Sequence, residues 1–245
     1  MNPTRRTAFI AGLLFIITFV TSIAAVLLYH PALRDTGYIV GAGADSRVAF
    51  GVLLEMLLIV ANIGTAVVLF PILKRQNEAL SLGYVAARIM ESAFIAIGLI
   101  SVAAVVLLRQ DVGAAGGDSL VTAGKSFVAV HDLTFLLGPG WVVGVGNGLI
   151  LGYLMYKSRL VPRGMTWLGL IGGPLIFISG TAVLFNIIQP GSKAQGIASI
   201  PEILWELSLG IYMLVKGFRS DSPLLAMPAV TPMDEAPPVL VIPVG

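Results

Sequence analysis

Arg88 and Glu91 stand three residues apart in Gly83-Tyr84-Val85-Ala86-Ala87-Arg88-Ile89-Met90-Glu91-Ser92, a segment set inside a long apolar run. On a helix that spacing puts both side chains on one face within pairing reach. Ionisable groups inside a hydrophobic span are costly and mark candidate functional sites. Glu55 and Asn62, seven residues apart in the preceding apolar run, also share a face. At 1.5 Å per residue, Glu55 should lie roughly 12 Å from one edge of the hydrocarbon core and Glu91 roughly 14 Å from the other. The two runs are joined by a short loop and should pack antiparallel, so Glu55, Asn62, Arg88 and Glu91 are expected to form one buried polar patch. One arginine neutralises one carboxylate, which leaves Glu55 or Glu91 over. A carboxylate without a counter-ion in low dielectric favours its protonated form, and a proton-coupled carrier would be built that way. The same groups would also serve as a packing staple, since structural networks perturb ionisation too.

A second polar group is expected nearer the opposite face: His30, His131, Asp132, Glu202 and Glu206. Glu202 and Glu206 are four apart and share a helix face. Histidine with several carboxylates can bind a divalent metal. No His-x-x-x-His or His-Glu-x-x-His spacing occurs, however, so no metal site is assigned. No Gly-x-Ser-x-Gly elbow supports serine catalysis, and no mid-span lysine is available for a retinal Schiff base. Gly144, Gly148, Gly169 and Gly173 have the spacing of close helix contacts. They lack the preceding strand and following Gly-Lys-Ser/Thr of a phosphate loop. No cofactor is called for.

These residues must be positioned by elements suited to a bilayer. The 245-residue chain is 57% hydrophobic and 11% charged, where soluble domains carry about a quarter charged residues. Its mean hydropathy is +0.94. Several runs reach the roughly 20 apolar residues that a hydrocarbon core requires, without the period-two alternation of a barrel. The expected fold is all-α, a polytopic membrane helix bundle. Spans are predicted over 7–29, 47–70, 82–108, 130–156, 165–188 and 199–218 within a 1–219 domain. A Pro-rich stretch over 220–245 reads as a disordered cytoplasmic tail. Arg5 and Arg6 precede a first run too long for a signal peptide, which predicts an uncleaved span.

Alternate sides of these spans hold unequal positive charge. Arg5, Arg6, Lys74, Arg75, Lys157, Arg159, Arg163, Lys216 and Arg219 fall on one side, against Arg34, Arg47, Arg109, Lys125 and Lys193 on the other. Nine against five puts both termini in the cytoplasm. Basic loops also account for the net charge of +2 without a nucleic-acid partner. The chain has no cysteine, which excludes disulfides and thiolate chemistry.

The Arg-Arg-Thr-Ala start, and Leu73-Lys74-Arg75-Gln76-Asn77-Glu78-Ala79-Leu80-Ser81-Leu82-Gly83-Tyr84 running into Arg88 and Glu91, resemble the bacterial membrane family called domain of unknown function 4386. A fourth span opening near His131 and a Glu-rich sixth span add to the likeness, which covers roughly 5–218. The resemblance implies a multi-spanning protein of a bacterial plasma membrane and supplies no activity, substrate or cofactor. Three functions stay open. One is small-molecule or proton-linked transport through the buried patch, with the bilayer and a small ligand as partners. Another is an intramembrane enzyme using His131, Asp132, Glu202 and Glu206. The last is a non-catalytic scaffold or regulatory subunit.

Overall fold

The computed structural model describes residues 2–35, 37–41, 43, 45–112 and 117–226. Among them all regular structure is helical, and six helices are long and apolar enough to cross a membrane. They are α1 (Pro3–Arg34), α2 (Asp45–Leu73), α3 (Glu78–Val112), α4 (Gly117–Ser158), α5 (Arg163–Leu184) and α6 (Lys193–Val215), followed by a single turn, α7 (Pro223–Ala226). The chain is a multi-pass helical membrane bundle.

Backbone hydrogen bonding carries most helices beyond their apolar stretches. α1 begins at Pro3 because the Asn2 side chain accepts the Arg5 N–H (2.8 Å) and proline suits the first turn. The widest departure is in α4, where 117–129 had read as linker. That stretch is helical, with Leu120 and Gly124 buried one turn apart. Residues 113–116, just before it, lie outside the described residues. α5 stops four residues early, since the chain turns off at Phe185 and Asn186 takes the left-handed conformation (φ 56°). α6 starts at Lys193, six residues sooner than expected, capped by Ser192.

Each helix packs on its neighbours in sequence, and α6 packs on α1, so the six close into a ring. That closure needs glycine at the end of the ring where the first residues of α1 meet the last of α6. A Cβ on Gly12 would stand 2.4 Å from the Leu214 nitrogen. Nearby the Arg5 guanidinium donates to the carbonyls of Met213, Leu214 and Val215 (3.1, 2.9 and 2.9 Å), satisfying acceptors that the helix end leaves free. An apolar core around Phe15, Leu69, Leu154 and Trp205 fills this end. A second, around Tyr29, Val48 and Val102, fills the far end. Between the two cores lies a layer of buried polar side chains.

The beginning of the expected tail is folded onto the bundle. Ser222 Oγ donates to the Ser158 carbonyl (2.6 Å), the Arg219 N–H donates to the Leu160 carbonyl (2.9 Å), and Leu224 is buried. The Arg219 guanidinium, 2.6 Å from Asp221, holds that carboxyl below the usual carboxylate range. Residues 227–245, the rest of that tail, lie outside the described residues.

Candidate functional site

The polar layer holds two constellations, sorted differently from the expectation. The first is built on Arg88 of α3. Its Nη1 donates to Glu91 Oε2 (2.8 Å) and lies 3.6 Å from Glu206 Oε1 on α6. The guanidinium also sits 5.4 Å from the Phe15 ring centroid and 5.9 Å from that of Tyr84, distances at which a cation is attracted by the ring face. One helical turn from Glu206, Glu202 is 2% exposed, and neither of its oxygens has a hydrogen-bond partner among the described residues. Asn62 of α2 donates to Ser92 Oγ (3.2 Å) and faces the same space.

That space is a cavity of about 310 Å³ lined from all six helices, with Asn62, Arg88, Glu91, Glu202 and Glu206 in its wall. Ligand sites typically occupy roughly 300–1,000 Å³ and set a few polar groups in an apolar wall. With all groups ionised, three carboxylates face one guanidinium.

The second constellation lies beyond Phe135, which lines the cavity and stacks on His131 (5.0 Å between ring centroids). The Tyr29 hydroxyl donates to Glu55 Oε1 (2.6 Å), and the same ring meets His131 edge-on at 5.5 Å. His131 Nδ1 is 3.4 Å from Asp132 Oδ1, and Asp132 in turn pairs with Arg34 (3.3 Å) at the exposed rim. Glu55 Oε2 and His131 Nε2 are both buried and lack partners among the described residues.

Two expectations therefore change. Glu55 does not join Arg88 and Glu91, and Glu202 and Glu206 do not join His131 and Asp132. Helix ends supply the reason. Counted from the α2–α3 turn, Glu55 is eighteen residues up α2 from Leu73 and Glu91 thirteen up α3 from Glu78, a depth difference of about 7 Å. The early start of α6 sinks Glu202 about 13 Å from its first residue, and Glu206, one turn further along, meets Arg88. His30 is exposed and belongs to neither group. Among the described residues no three His, Asp or Glu side chains are grouped so as to hold a metal ion.

Sequence reasoning also passed over Tyr29 and Asn147. Tyr29 reads as an ordinary interfacial aromatic. Asn147 is fully buried with neither side-chain polar atom partnered among the described residues, while its carbonyl accepts from Trp205 Nε1 (3.0 Å). It lies where α4 widens to π-helix over Gly138–Val142 and Gly144–Leu151, a distortion often found at functional sites. The first of these segments opens on Gly138-Pro139-Gly140, residues that weaken regular α-helical hydrogen bonding.

No curated protein and no solved structure matches the chain. A family model, Domain of unknown function (DUF4386), matches residues 10–217, and the chain belongs to that family.

Proposed function

We propose that the protein carries a small molecule across a bacterial plasma membrane in a proton-linked manner, with both termini cytoplasmic and the Arg88 cavity as the site of binding. The observation behind this reading is the cavity itself. It lies within the helix ring and carries two more negative charges than positive ones when its four ionisable groups are charged. Uncompensated charge at that depth is costly, so protons or a charged ligand must balance it. Intramembrane carboxylates in such settings mark ion and substrate pathways. Against an enzyme built on the His131 group stands the separation of Glu202 and Glu206 from His131 and Asp132.

The test is flux. Under an imposed pH gradient, liposomes holding the purified protein and a trapped pH-sensitive dye should move protons faster than empty vesicles do when small organic cations or anions are supplied on one side. Glu202→Gln and Glu206→Gln should fall to the empty-vesicle rate while eluting as folded protein. Wild-type protein that moves protons no faster than empty vesicles with those ions supplied, and with the gradient imposed in either direction, sinks the proton-linked reading.

A further inference from the structure

We propose that the cavity's ligand is an organic monocation with an apolar body, bound through Glu202; this names the substrate class of the site in the transport reading above and rests on it. The sign of the charge follows from which groups are already committed. The Arg88 charge is already met by Glu91 and Glu206, so although its Nε–H has no partner among the described residues, an anion placed there would face two carboxylates. Glu202 is the cavity carboxylate with both oxygens buried and unpartnered among the described residues. A buried carboxylate without a partner is costly, and a cation placed against it removes the cost. The carboxylate is also held in place. A Cβ on Gly148 or Gly172 would stand 2.8 or 2.9 Å from Glu202 Oε2, so the glycines of α4 and α5 form its seat.

The size and wall of the cavity select among cations. A metal ion wants several oxygens converging on one point, and no such grouping of His, Asp or Glu occurs among the described residues. At about 310 Å³ the space far exceeds an ion, and most of its wall is apolar, including Phe19 and Phe135. Aromatic faces attract an organic cation while accommodating its hydrocarbon part. The entrance agrees with this. α1 and α6 touch closely at Gly12 and Gly210, but further along the same pair Ile23 and Ile203 line the cavity while being 59% and 48% exposed. The cavity thus meets the outer surface of the bundle between two apolar side chains, on a face that hydrocarbon covers. An amphiphilic cation can arrive there from the lipid.

The probe is radiolabelled benzyltrimethylammonium, which cannot lose its charge, offered to the full-length protein in nanodiscs, with benzenesulfonate as an anion of similar shape. Saturable binding of the cation and none of the anion is expected. Glu202→Gln should weaken binding roughly a hundredfold, the cost of leaving a buried charge unpaired, and Glu202→Asp should restore part of it. Should Glu202→Gln fail to fold, Ile203→Trp narrows the entrance from an exposed position and should slow binding with the protein intact. Cation binding without proton flux supports the ligand class and overturns only the transport reading. Flux without cation binding overturns the ligand class and leaves transport standing. Equal binding of benzenesulfonate, or binding unchanged in both variants, also overturns the proposal.

Discussion

Tyr29 and Glu55 show how a single hydrogen bond organises the far half of the polar layer. Glu55 is fully buried, and the phenol is the one donor on either of its oxygens among the described residues. Removing the hydroxyl leaves a carboxyl group buried with no donor, at a cost of about 1–3 kcal/mol. Tyr29→Phe should therefore lower thermal stability in detergent by that amount. In Glu55→Gln the loss from the second change should be much smaller, because the two residues act on one contact. Additive losses in the double variant would show that the pair is not coupled. The candidate residues themselves were legible as isolated polar letters in apolar runs, which is why Glu55, Asn62, Arg88, Glu91, His131, Asp132, Glu202 and Glu206 could all be named in advance. Their grouping was not. Partnership between helices depends on depth and rotation, and a few residues' error at a helix end moves a carboxylate by a turn or more.

At the scale of the element, α4 and α5 are the pair in which backbone approach matters most. A Cβ on Gly148 would lie 2.3 Å from the Gly173 Cα as well as against Glu202. The obstacle is backbone, which cannot swing away as a side chain can. Gly148→Ala should force the two helices apart and cost about 1–3 kcal/mol, the range for overpacking, and should disturb ligand binding at Glu202 as well. Gly164, in the first turn of α5, has open space around its Cβ position. Gly164→Ala should be neutral or stabilising by up to about 1 kcal/mol through helix propensity. Comparing the two thermal midpoints checks the argument, and similar losses at both sites would count against it. Small-xxx-small spacing marked Gly144, Gly148, Gly169 and Gly173 as contact residues from the sequence. It could not show that a carboxylate from a third helix fills the same crevice, since no local pattern in α4 or α5 refers to α6.

The whole molecule is a closed ring with apolar plugs at both ends and charge between them, and the proposed orientation with both termini cytoplasmic rests on the basic residues outside the ring. The chain termini and the α2–α3 and α4–α5 turns carry nine of the fourteen basic residues that lie outside the span interiors, Arg88 being the fifteenth of the chain. Short loops rich in Lys and Arg are retained on the cytoplasmic side. Arg5 ties the start of α1 to the end of α6, so these two helix ends lie at the same end of the ring. Because the chain has no cysteine, single introduced thiols report sidedness without background. Glu78, at the start of α3, and Ala194, in the first turn of α6, are exposed at opposite ends of the ring. In intact cells a membrane-impermeant maleimide should label Ala194→Cys, and label Glu78→Cys only after permeabilisation. The reverse pattern would invert the molecule. Ile23 and Ile203 would still open sideways into lipid, but the Asp132–Arg34 rim would then face the cytoplasm, and any proton reaching Glu55 along that side would come from within.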